Sequence, residues 1–282
     1  MADKKNDFLK HEAVSNDGTK IAGRVQGEGP PLVLIHAGLG DGDSDWAAAL
    51  PFLKDNFTCY TMSTRNRGLS DNSDDLSLER HVEDVVAFAE SIGEPVGLAA
   101  PSGGSIFTLG AAAHSKAVAA VAVYEPLVFE IIGEEDAEDI ENAVNRLRQL
   151  ASEGKPYDAV YDWMTGYANK EELAALSVSG WLDEGQKYIP VLLGILERAA
   201  EAKGPGPNDS AVLKQITAPV LIMQGANTKR KWFIESADYI HTHVANSTIV
   251  KIPDAGHSGV WVKPEAVSVK MKQFFEKVFA EM

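Results

Sequence analysis

Three short stretches of the chain carry residue types that can attack a carbonyl carbon or move a proton. The first is Ala99-Ala100-Pro101-Ser102-Gly103-Gly104, between an apolar run that reads as a strand and a run that reads as a helix. A serine raised above a sheet on such a turn needs small residues two positions before and after it, because larger side chains collide there. Ala100 and Gly104 fill those positions. The second stretch, His36-Ala37-Gly38-Leu39-Gly40, also follows a strand. A glycine loop there can aim a backbone N–H at the same cleft, so the N–H groups of Gly38 and Gly103 would form an oxyanion hole. The third, Pro253-Asp254-Ala255-Gly256-His257-Ser258, lies just past the last strand. A histidine on a glycine-flanked loop at a strand's C-terminal end can lean over the sheet toward Ser102. The chemistry these residues suit is acyl transfer, with Ser102 as nucleophile and His257 as general base. It requires no cofactor and no metal.

Each stretch also has a plainer reading. Glycine-rich turns between strand and helix bind phosphate as well, but here no Lys follows the glycines and the dinucleotide spacing is absent. His36 reads as a structural residue that orders its own loop. His11 and His81 fall on outer elements, and His114 ends the helix after Ser102. His241 and His243 are two apart at a helix end and share no face, so they make a poor metal pair. Carboxylates crowd residues 133–141, which suits the first turn of a helix facing water. The single cysteine, Cys59, lies in an apolar run and reads as core.

The elements that must hold these residues follow from hydrophobic patterning. Strands are expected at 8–14, 20–26, 31–36, 57–62, 96–100, 118–124, 219–224 and 247–252. Several of them are continuous apolar runs, as in a strand buried on both faces. Helices are expected at 46–53, 78–92 (with Ser77 as N-cap), 104–114, 232–243 and 264–281. Alternation of this kind means a mostly parallel sheet covered by helices on both faces. Between about 127 and 207 the alternation stops. Only helical patterns appear there, at 136–151, 157–167, 171–176 and 188–203, and Gly204-Pro205-Gly206-Pro207 closes the segment. The expected organisation is a core formed by residues 1–126 and 207–282, with an inserted helical cap or lid at 127–206. An insertion that follows a strand's C-terminal end sits over the ligand crevice.

These motifs, in this order and at these intervals, resemble the α/β-hydrolase superfamily over about residues 20–279, with the helical segment matching its cap. The stretch Thr61-Met62-Ser63-Thr64-Arg65-Asn66-Arg67-Gly68-Leu69-Ser70-Asp71 is similar to the family's stretch of Asp and Arg followed by Gly-x-Gly-x-Ser, with Ser63 in place of its Asp and Asn66 in place of its first Gly. The resemblance implies an eight-stranded sheet and a Ser-His-acid triad. Many members carry the acid three residues after the Gly that ends the next-to-last strand. Here that stretch is Gly225-Ala226-Asn227-Thr228, with no carboxylate. The remaining candidate is Glu125, in Tyr124-Glu125-Pro126 at the end of the strand after the nucleophile helix. Haloalkane dehalogenases and zearalenone-lactone hydrolases use a Glu at the corresponding place, and the chain is somewhat similar to the latter in its Gly38-Leu39-Gly40 loop. A local hydrogen-bonding role at the strand end is the plainer reading of Glu125.

Composition bounds the function further. The 282 residues are 45% hydrophobic and 24% charged, ordinary for one globular domain with an insertion. A net charge of −15 repels phosphate backbones and anionic lipid surfaces, so neither nucleic acid nor membrane is an expected partner. The start, MADKKNDFLK, is charged and carries no apolar leader-like run, so the expected location is cytoplasmic. The expected partner is a small-molecule apolar substrate, a bulky ester or lactone enclosed by the cap, whose aromatics include Trp163, Tyr167, Trp181 and Tyr188. A C–C bond hydrolase would use the same residues. A receptor-like protein that binds without turnover is the non-enzyme alternative, kept open by the missing carboxylate at 227 and 228.

Overall fold

The computed structural model describes residues 9–282; Phe8, the expected start of the first strand, and most of the charged N-terminal stretch lie outside the described residues. Eight strands form one sheet: β1 (Leu9–Val14), β2 (Lys20–Gln26), β3 (Pro31–Ile35), β4 (Thr58–Ser63), β5 (Val96–Pro101), β6 (Val118–Tyr124), β7 (Val220–Gly225) and β8 (Ser247–Ile252). Their order is β1-β2-β4-β3-β5-β6-β7-β8. β2 runs antiparallel to both its neighbours, and every other pairing is parallel.

The central strands read as unbroken apolar runs because both faces are covered. Val33 and Ile35 of β3 and Val121 and Val123 of β6 point to one core, where they meet α3 (Leu78–Ser91), α4 (Gly104–His114) and α11 (Lys231–His243). Leu32, Leu34, Ala120 and Ala122 point to the other, against α1 (Gly42–Trp46), α2 (Leu50–Leu53) and α13 (Pro264–Ala280). The period-2 alternation of strand side chains divides one apolar run between two cores.

Between β6 and β7 lie α5 (Glu134–Ser152), α6 (Pro156–Thr165), α7 (Lys170–Ser179), α8 (Trp181–Gly185), α9 (Ile189–Glu201) and α10 (Ser210–Leu213). Apart from α10, these helices pack around a third apolar cluster, which Leu39 joins from the core. Glu134, Glu135 and Asp136 occupy the first turn of α5, where the helix dipole favours them. The two ends of the insertion meet: the Asn208 side-chain amide donates to the Leu127 carbonyl, and the Ser210 N–H donates to Glu130 at 2.9 Å. A last short helix, α12 (Gly259–Val262), follows the His257 loop. Among the described residues no helix is long and apolar enough to cross a membrane.

The loosened signature after β4 has a physical account. Asn66 sits at φ 63°, a left-handed conformation that Asn tolerates in place of the family's Gly. Arg65 is buried and makes a bidentate pair with Asp84 of α3 at 2.7 and 2.8 Å, which ties this turn to the core. Ser63 donates no charge, but its hydroxyl accepts the Gly42 N–H at 3.2 Å.

Candidate active site

Ser102 stands on the turn from β5 into α4 at φ 50°, a strained conformation for a residue with a Cβ. Its own N–H is tied to the Tyr124 carbonyl at 2.9 Å. The turn is tight against β3: a Cβ at Gly104 would stand 2.2 Å from the His36 carbonyl oxygen, so only glycine fits there.

Glu125 also has a positive φ, 47°, which turns its side chain along the strand ends. The carboxylate is fully buried. Oε1 accepts the Gly225 N–H at 2.8 Å and the Thr228 hydroxyl at 2.5 Å. The β7 stretch that lacks a carboxylate of its own therefore supplies the donors that hold the one from β6. Oε2 has no such donor and faces His257 Nδ1 at 3.6 Å, and that ring nitrogen is buried and without another partner. The separation is long for a hydrogen bond, and suits an ion pair once the imidazole takes a proton; such contacts tighten when substrate binds. The ring of His257 is stacked on Phe233, with centroids 4.3 Å apart, and lies 5.5 Å from Tyr167.

Gly38 faces the elbow. A Cβ placed on Gly103 would be 3.8 Å from the Gly38 nitrogen, and among the described residues neither N–H donates to a protein acceptor. Behind this loop, buried Arg67 donates to the carbonyls of Gly38 and Gly40, both at 2.7 Å. Burial pulls its guanidinium down to about 10. Asp45, also buried, accepts the Ala37 N–H and the indole N–H groups of Trp181 and Trp261; burial raises its carboxyl to about 6. His36 uses both ring nitrogens: Nδ1–H donates to its neighbour's carbonyl and Nε2 accepts from the Thr64 N–H. Its basicity is spent on the loop, and burial lowers its pKa to about 3.

Ser102, Gly103, Gly38 and His257 line one pocket together with Trp163, Tyr167 and Trp181 of the insertion. Tyr188 is not in that lining; it donates to Asp41. Its cavity volume is about 100 Å³ and its lining is mostly apolar. Glu125 stands behind His257, outside the lining. Among the described residues no cluster of three His, Cys, Asp or Glu side chains is placed to hold a metal. Cys59 is buried and its thiol is raised by burial to about 12.

Residues 32–269 match the alpha/beta hydrolase family. The chain belongs to that family. One relative, named as the non-heme bromoperoxidase BpoC of Mycobacterium tuberculosis, is 27% identical over 268 residues, or 90% of this chain and 97% of that protein. An alpha/beta hydrolase from Sphaerobacter thermophilus has a similar structure, with TM-score 0.72 at 24% identity over 94% of this chain and 100% of that one. The esterase RhEst1 from Rhodococcus sp. ECU1013 gives 0.70 at 18%, over 95% and 99%. For an alpha/beta hydrolase, the elbow, the histidine loop and the glycine loop were all readable from residue types. Asp45, Arg67 and Phe233 were not, because nothing local to them marks a partner so distant in sequence.

Proposed function

We propose that this alpha/beta hydrolase is a serine hydrolase that cleaves a carboxylic ester or lactone through an acyl-enzyme on Ser102. The observation that carries this reading is the buried pairing of Glu125 with His257, since a triad needs a counter-charge for the imidazolium and neither Asn227 nor Thr228 supplies one. His257 takes the Ser102 proton as the hydroxyl attacks the carbonyl carbon. The oxyanion that forms is held by the N–H groups of Gly38 and Gly103, and the leaving alcohol takes the proton from His257. Water then attacks the acyl carbon with His257 again as base, releasing the acid and restoring Ser102. The substrate is a small apolar molecule. A cavity of about 100 Å³ compares with about 150 Å³ for an engineered apolar cavity that binds benzene, so the group beside Ser102 is one ring or a short chain. The helical insertion acts as its lid. The esterase name of one structural neighbour is consistent with this reading.

The test is a fluorophosphonate probe together with ester turnover. The probe should label Ser102, located by peptide mass mapping, and Ser102→Ala should lower kcat by about four or more orders of magnitude while the fold is kept. Hydrolysis at the parent rate in Ser102→Ala would overturn the proposal.

A further inference from the structure

The loop that presents His257 is held by a carboxylate from the insertion. Glu172 lies in the first turn of α7, and its side chain is almost fully buried. Its Oε2 accepts the Asn169 N–H at 3.1 Å, while Asn169 Oδ1 accepts the Glu172 N–H at 2.9 Å, completing a capping box. Capping uses only that arm. Oε1 reaches out of the helix and accepts the N–H groups of Gly256, at 2.7 Å, and Ser258, at 3.2 Å. These are the amides on either side of His257. The contact is close enough that a Cβ on Gly256 would stand 2.7 Å from Glu172 Oε2. The Tyr124 hydroxyl donates to the Gly256 carbonyl at 2.5 Å.

Among the described residues all three donors to Glu172 are backbone amides, so its charge is stabilised by hydrogen bonds from the histidine loop and its own helix cap. Charge-assisted bonds of this kind are shorter and stronger than neutral ones, and in a buried setting they fix backbone position. The imidazole hangs from the one residue between the two amides. Its χ angles can adjust the ring, but its Cα cannot move without breaking a bond to Glu172.

We propose that Glu172 is a positioning residue for His257, through which the docked insertion sets the place of the general base relative to Ser102. The inference rests on the reading of His257 as base. It predicts that the insertion contributes to turnover and not only to enclosing substrate.

The test is steady-state hydrolysis of a short-chain p-nitrophenyl ester by the full chain and its variants. Misplacing a catalytic group by about 1 Å can cost about 100-fold. Glu172→Ala should therefore lower kcat about 100-fold with KM changed less than about threefold. Glu172→Asp keeps the charge but is shorter by one methylene, and should lower kcat about tenfold. In a His257→Ala background the Glu172 changes should alter the residual rate less than about twofold, since a residue acting through His257 has nothing left to act on. Parent kcat in a folded Glu172→Ala or Glu172→Asp overturns the inference, and if the Ala variant does not fold the Asp variant decides. An undiminished Glu172 effect in the His257→Ala background also overturns it, by placing the action elsewhere. If instead Ser102→Ala and His257→Ala keep parent activity, it is the hydrolase reading that fails.

Discussion

At the level of single residues, Glu125 bears the heaviest demand. Its Oε1 is satisfied by Gly225 and Thr228, which leaves Oε2 for His257. Glu125→Gln keeps the shape and removes the charge that an imidazolium needs. In the serine-protease example in which the triad Asp becomes an amide, turnover falls roughly 10⁴-fold, and a loss of about three to four orders of magnitude is expected here. Thr228→Ala removes one donor to Glu125 and should cost about tenfold, comparable to one hydrogen bond to a charged group. Asn227 is exposed and its N–H bonds to the Ala255 carbonyl, so Asn227→Ala should leave kcat nearly unchanged. Matched kcat values on the three variants check this order; a severe loss at Asn227 would move the orienting role to β7. Ser102 and His257 were legible from their neighbours, because small residues around a serine and a glycine before a histidine are local demands. Glu125 became legible only through the empty position at Asn227 and Thr228. Glu172 was not legible, since its partners lie 84 and 86 residues away and no short pattern announces such a pairing.

At the level of elements, the eight strands start and end within about a residue of where apolar patterning put them, apart from Phe8 at the undescribed end. Short helices escaped: α8, α10 and α12 run only four or five residues, too few for a 3.6-residue period to show. The single helix expected at 46–53 is two, α1 and α2. Ser77 does occupy the N-cap of α3, yet its side chain caps nothing; its carbonyl instead accepts His81 Nδ1–H at 2.9 Å. The element most exposed to a single change is the elbow. Adding one methyl at Gly104 puts a carbon 2.2 Å from the His36 oxygen, so α4 must shift away from β3. Overpacking of this kind costs about 1–3 kcal/mol. Gly104→Ala should lower the urea midpoint correspondingly and should reduce kcat as well, because the same shift moves the Gly103 N–H. Unchanged urea stability would show that the turn can relax.

For the whole molecule, pH sets opposing demands through groups buried in the fold. His36 and His81 are both pushed by burial down to about 3, from 6.5. As pH falls below about 6.5 the unfolded chain takes up protons that these folded-state rings refuse until about 3, so stability is lost across that window. Asp45 works the other way. Its folded carboxyl is raised to about 6 from 3.8, so its contribution is fullest at low pH and is lost as pH rises through about 6. Two histidines over the wider window outweigh one aspartate, and stability should fall between pH 6.5 and 4 by on the order of a few kcal/mol. His81→Gln cannot take a proton and can still donate to the Ser77 carbonyl. Urea unfolding at pH 4, 5, 6 and 7 should show a shallower fall for that variant than for the parent; parallel curves would remove His81 from the account. The net charge of −15 works against this fall, because the mutual repulsion of carboxylates at neutral pH is relieved as they protonate.

The meeting of Leu127 with Asn208 and of Glu130 with Ser210 makes the insertion a closed cassette. Because the chain leaves and re-enters the core at neighbouring points, the core sees the same two anchor positions whatever lies between them. Doubling the length of a flexible closed loop costs only about 0.6 kcal/mol, so a cassette of different length or sequence can be exchanged with little effect on the sheet. The exchange has one restriction. A replacement must bring its own acceptor to the amides of Gly256 and Ser258, or it will change the substrate range and slow the chemistry in the same step.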